Sequence, residues 1–156
     1  MIPELKTLLI SMLPIGELRV AIPVGMTVYD LPFWSAFLWS FIGNIIPIFF
    51  VIWGLDLLIN KFAVHRIYFL NKFFNWLFER TRKKHTKNFE RWQNLALVIF
   101  VAIPLPGTGA WTGALIAYVF GIPLKRAFPA IASGVLIAGI IVTLITLGII
   151  NLPFVF

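Results

Sequence analysis

Apolar residues fill four long stretches of this chain, and two of the four are broken near their middle by residues that end helices. Between Ile103 and Ala117 the sequence IPLPGTGAWTGALIA places Pro104, Pro106 and Gly107-Thr108-Gly109 inside a hydrophobic run. Proline removes a backbone donor and glycine raises the cost of helical order, so a straight helix stops there. The apolar arms on either side, Asn94 to Ile103 and Ala110 to Ile122, are each about half of what a hydrocarbon core of roughly 30 Å requires. The pattern predicts a re-entrant hairpin with its tip near the bilayer midplane, where irregular backbone survives only if protein covers it or it lines a wet cavity. A matching break, Pro14-Ile15-Gly16, separates Leu5 to Leu13 from Val20 to Val28 and predicts a first hairpin. Phe33 to Leu55 and Ala127 to Phe156 are uncharged for long enough to cross, with Gly43, Asn44 and Pro47 expected to kink the first of them.

The order of broken arm, second arm, proline turn and span occurs twice. Pro14 to Pro32 is a step of 18 and Pro104 to Pro123 one of 19, while Pro32 to Gly43 and Pro123 to Gly134 are both 11. We therefore expect an all-α integral membrane protein built as an inverted repeat of two re-entrant helical hairpins, each followed by a transmembrane helix. Residues 1–156 form one membrane domain: a first repeat over 1–59, a connector over 60–92 and a second repeat over 93–156. In the connector, Phe62, Ile67, Phe69, Phe73 and Trp76 alternate with Lys61, His65, Arg66, Lys72 and Arg80, which suits an interfacial helix. Arg80 to Lys87, RTRKKHTK, reads as a solvated turn. If both broken runs are re-entrant, the connector and Lys125-Arg126 share one membrane face. The positive-inside rule then makes the connector cytoplasmic and both termini external, in an inner (cytoplasmic) membrane.

Composition agrees with that architecture. Of 156 residues 60% are hydrophobic and 12% charged, and the mean hydropathy is +0.95, more apolar surface than a soluble core of this size needs. A net charge of +7 invites a nucleic-acid reading, but the cations cluster beside aromatic residues between Lys61 and Arg91, so no nucleic-acid partner is expected. The chain has no cysteine, hence no disulfide framework and no thiolate nucleophile or ligand. MIPELKTLLISMLPIGELR lacks a cationic n-region and a small-residue cleavage site, so it is expected to stay attached.

Glu17 and Arg19 are the only charges between Lys6 and Asp30, and ionisable residues at membrane depth are functional candidates by default. Positions two apart on a helix do not face each other, so each needs its own partner. Arg19 is expected to point toward a cavity, and Glu17 to reach the second hairpin or Asn44. Both returning arms start at the tips, near Gly16-Glu17 and Gly107-Thr108, where unpaired amides and the positive dipole end favour an anion. The candidate substrate-binding residues are Arg19, Gly107, Thr108, Gly109 and Trp111; Glu17 is the candidate for proton or ion coupling, with Asn44 in support. Thr108 has the alternative of simply capping its helix. Small residues at 109, 113, 117 and 121, at 21 and 25, and at 130, 134 and 138 let helix backbones approach closely, and also offer a face for a homodimer. With no histidine in the apolar runs and one isolated glutamate, neither an enzyme nor a metal or other cofactor is expected.

At ELRVAIPVG, Glu17 to Gly25, and PLPGTGAWTGALIA, Pro104 to Ala117, the sequence resembles the small multidrug export family, which looks related to the DedA or VTT membrane proteins. For the DedA relatives the resemblance implies two oppositely oriented re-entrant hairpins and ion-coupled transport or scrambling of lipids such as polyprenyl phosphates. It matches Glu17 to the hairpin acid assigned to proton coupling. The second hairpin departs from DedA, since Gly107, Thr108 and Gly109 stand where arginines are expected. The resulting expectation is a secondary transporter or flippase for an anionic amphiphile, with membrane lipids as partners. Export of small cationic drugs is the alternative within transport, and a non-transporting membrane scaffold the alternative from another class.

Overall fold

The computed structural model describes residues 2–58, 87–105 and 107–150, and these form helices α1 (Pro3–Met12), α2 (Glu17–Thr27), α3 (Phe33–Leu58), α4 (Lys87–Ala102), α5 (Ala110–Val119) and α6 (Leu124–Ile150), with no strand among them. Two short helices and a long one follow one another twice. At about 1.5 Å per residue α3 and α6 reach about 40 Å, enough for a hydrocarbon core, while α1, α2 and α5 reach about 15 Å. Among the described residues, α3 and α6 are the two helices long and apolar enough to cross a membrane.

Most of the connector lies outside the described residues, and so do the end of the second span beyond Ile150 and the turn expected over Arg80 to Lys87, except for Lys87 itself, which is helical. Residues 87–92 belong to α4, so helix is already present before the apolar arm expected at Asn94. Its opening turns, KNFERWQN, are polar but good enough helix formers to continue the helix. Hydropathy locates where this helix enters an apolar environment rather than where it begins. α1 opens on Pro3, whose absent N–H is no loss in a first helical turn. Pro47 lies inside α3, where it leaves the Gly43 carbonyl without its helical donor.

The packing is fixed by contacts at small residues. A Cβ on Gly43 of α3 would collide with the Leu8 carbonyl of α1, and one on Gly134 of α6 would sit 2.9 Å from the Val98 carbonyl of α4. α4 and α6 run the same way, since Glu90 meets Arg126 at one end and Val98 meets Gly134 further along. α3 and α6 run oppositely: Phe37 fills the space beside Gly139, and the rings of Phe49 and Phe128 meet edge to face at 5.7 Å. Lys6 lies over the Tyr29 ring at 5.2 Å and closes the open end of the α1–α2 pair. The centre is filled by Leu18, Ile22, Ile48, Val101, Ile131 and Val135. The outward faces carry Phe49, Phe50, Trp53, Ile137, Leu144 and Ile149 exposed, a continuous apolar surface that water-soluble monomers rarely show.

These close approaches predict that Gly43→Ala and Gly134→Ala each lower stability by about 1–3 kcal/mol, the usual cost of overpacking. Gly54→Ala and Gly148→Ala, where an added Cβ meets nothing within 4 Å, are expected to be neutral. Thermal unfolding of the four variants in detergent checks this.

Candidate functional site

Glu17 begins α2 in the left-handed region, φ 50, immediately after the Pro14-Ile15-Gly16 break. A non-glycine residue there costs about 1–2 kcal/mol, and the conformation aims its side chain away from its own helix. The carboxylate crosses to the second broken segment, where it accepts the N–H groups of Ala110 at 3.3 Å and Trp111 at 3.2 Å. These are the first two residues of α5, whose opening amides have no intrahelical acceptor. Glu17 therefore caps a helix 93 positions away and is itself only 6% exposed. Gly109 makes room for it: a Cβ there would lie 2.5 and 2.6 Å from the two carboxylate oxygens.

Arg19, one short step further along α2, ties down the turn that precedes α5. Its Nη1 donates to the carbonyls of Leu105, at 2.6 Å, and Thr108, and its Nη2 to the Ile103 carbonyl and Thr108 Oγ1, both at 3.2 Å. The Thr108 hydroxyl also accepts the Leu105 N–H at 3.3 Å and has the Ile103 and Leu105 carbonyls within 2.6 and 2.8 Å for its own proton. Gly109, not Thr108, occupies the N-cap position, and Thr108 faces back into the turn. Gly107 supplies the left-handed corner, φ 85, that lets the chain fold around the guanidinium.

The structure thus brings Glu17, Arg19, Thr108, Gly109 and the backbone of Trp111 together, with Gly107 at the corner. Asn44 is not joined to them by any hydrogen bond. It is fully buried in α3, and both its amide atoms lack a partner, as does the buried Trp111 indole Nε1. Two predicted features take a different form from that expected. The amino terminus of α5 is already filled by a carboxylate of the chain itself, and the four terminal donors of Arg19 go to neutral oxygens. Arg19 forms no ion pair with a carboxylate among the described residues, and its buried Nε has no acceptor.

Beside Arg19 lies a cavity of about 330 Å³ walled by Pro23 and Thr27 of α2, Pro104, and Val142, Ile145, Thr146 and Ile149 of α6. Both threonine hydroxyls are spent on carbonyls one turn back, Thr27 on Pro23 and Thr146 on Val142. Among the described residues, Arg19 is then the one charged group lining an otherwise apolar space. The contribution of α6 was not foreseen, because residues 142–149 are uniformly apolar apart from two threonines and look like any lipid-facing turn. The turn carbonyls that hold Arg19 have no side-chain signature at all.

A helical bundle with two span-length helices, a broad apolar exterior and a buried carboxylate linking two helix breaks is a membrane protein. More particularly, the chain belongs to the family described as "Putative small multi-drug export protein", whose model matches residues 17–141. The description places it with transporters rather than enzymes. No curated protein and no solved structure matches the chain.

Because Gly109 and Glu17 serve one contact, Gly109→Ala and Glu17→Gln are each expected to cost about 1–2 kcal/mol, the worth of a helix cap. The double variant should cost no more than the larger single loss. Unfolding in detergent reads all three.

Proposed function

We propose that this protein is a secondary transporter or flippase, ion-coupled and resident in the inner membrane, that moves an amphiphile with an anionic head such as a polyprenyl or other lipid phosphate. The single observation that carries the reading is Arg19 at the edge of the 330 Å³ cavity, a cation with no carboxylate ion pair among the described residues, beside an apolar chamber. An anionic head pairs with the guanidinium by exchanging the turn carbonyls for phosphate or carboxylate oxygens, which bind it more strongly. The apolar tail lies along Pro23, Ile145 and Ile149. Glu17 is the coupling group: while charged it holds the α5 amides, and a proton taken up on it weakens that hold and loosens one broken segment from the other.

The architecture that serves this function is an inverted repeat of two re-entrant hairpins. Three facts support it. Gly43 meets Leu8 as Gly134 meets Val98, offsets of 134 − 43 = 91 and 98 − 8 = 90 positions. The long helices that end each half pack antiparallel. Each break is flanked by helices too short to cross. On this reading the connector is cytoplasmic and the termini external, the arrangement that the positive-inside rule favours. Ile15, at the first break, is 99% exposed, so that turn borders lipid or a second copy of the chain rather than its own core.

The family description names multi-drug export; export of small cationic drugs would place a cation beside Arg19 and need Glu17 to leave α5. Flux into proteoliposomes separates the readings. For the anionic amphiphile we expect Arg19→Ala to reduce polyprenyl-phosphate flux more than tenfold, the scale of one lost charged hydrogen-bonded contact. Ile145→Trp, which fills the tail chamber and leaves the Arg19 bonds intact, should reduce it similarly. Cationic-dye flux that survives Arg19→Ala but not Glu17→Gln contradicts the proposal, and absence of any flux from the wild-type protein indicates a scaffold.

A further inference from the structure

At the opposite end of α6 from the Arg19 cavity a second, unrelated pocket of about 480 Å³ opens between α4 and α6. Its polar end is formed by Asn94, Lys125 and Arg126, and its other end by Leu95, Val98, Pro129 and Ala130 with Ser133, whose hydroxyl is spent on the Pro129 carbonyl. Both helices change character at this pocket. α4 passes from KNFERWQN to the apolar LALVIFVA between Asn94 and Leu95, and α6 from Lys125-Arg126 to an uncharged run beginning at Ala127. Trp92, exposed on α4 just before the boundary, stands where indole rings collect at headgroup depth. The pocket therefore lies at the membrane–water interface, with its cations outward and its apolar residues inward.

Its electrostatics call for an anion. Lys125 and Arg126 occupy the first turn of α6, where the positive end of the helix dipole opposes rather than offsets their charge. Glu90 reaches Arg126 at 2.9 Å, but both side chains are about a third exposed, so the pair is weak and open to exchange. Lys125 is exposed and has no ion-pair partner among the described residues. Asn94 Oδ1 is buried in the same wall without a donor. The missing partner has a negative group for the cations, a hydroxyl or ammonium for Asn94 and hydrocarbon for Leu95 and Val98.

We propose that this pocket binds the headgroup of an anionic glycerophospholipid, phosphatidylglycerol being the simplest that supplies all three. Phosphate oxygens meet Lys125 and Arg126, a headgroup hydroxyl donates to Asn94, and the acyl chains descend along α4 and α6. The lipid joins the helices that frame the second half on the face where the connector leaves the membrane. The site shares no residue with the Arg19 cavity and stands whatever the transported cargo is.

Lipid binding to the full chain in detergent, followed by native mass spectrometry, tests it. Phosphatidylglycerol should bind well ahead of phosphatidylcholine. Lys125→Gln should weaken it about fivefold, the usual effect of one interfacial cation, whereas Lys6→Gln, which removes a cation at the far end of the chain, should not. Glu90→Gln, which releases Arg126, should tighten binding, giving a variant of opposite sign should Lys125→Gln fold poorly. Equal affinity of Lys125→Gln and wild type, no preference for phosphatidylglycerol, or equal stabilisation by inorganic phosphate alone would each overturn the proposal.

Discussion

One carboxylate joins the two helix breaks of this protein. Glu17 leaves its own helix at the first break and accepts the amides that open α5 at the second, so that neither break is complete without the other. A helix start in a low-dielectric interior leaves donors that water is not there to satisfy, and each costs of the order of 1–3 kcal/mol unpaired. Supplying the acceptor from a distant segment makes the two breaks one structural unit. The left-handed backbone at Glu17 and the bare Cα of Gly109 both follow from that requirement.

Arg19 adds the complementary half of the arrangement. Glu17 satisfies donors at the beginning of α5, and Arg19 satisfies acceptors in the turn just before it, so the reversal from Ile103 to Trp111 is held from both sides by two residues of α2. The chemistry is unequal, however. The carboxylate has found polarised N–H groups at a dipole end, an arrangement close to an ideal anion site, while the guanidinium has only neutral carbonyls. The Glu17 contact is accordingly the fixed point. In the transport we propose, it holds the two breaks together while Arg19 exchanges its turn carbonyls for the cargo.

Much of this was legible in the chain because the strongest signals were prohibitions. Prolines and glycines inside apolar runs forbid continuous helices, and both breaks appear where they were expected, at Pro14-Ile15-Gly16 and over 104–109. Charges near those breaks marked Glu17 and Arg19; of the two partners expected for Glu17, the second segment and Asn44, its hydrogen bonds go to the second segment. Other features were not readable. That Lys87 to Gln93 are already helical depends on helix propensity among polar residues, which hydropathy does not register. The carbonyls of Ile103, Leu105 and Thr108 as the resting partners of Arg19 follow from turn geometry alone. The α6 wall of the cavity is sequence-silent, since Ile145 and Ile149 would look the same facing lipid.

The central contact is directly observable at the amides of Ala110 and Trp111. In protein labelled for nuclear magnetic resonance, the account predicts that both amide protons lie downfield, as donors to a carboxylate do, and that Glu17→Gln moves these two upfield more than any others outside α2. If both resonances stay in place while Glu17→Gln disturbs only its own helix, the two breaks are not joined through this carboxylate and the account fails.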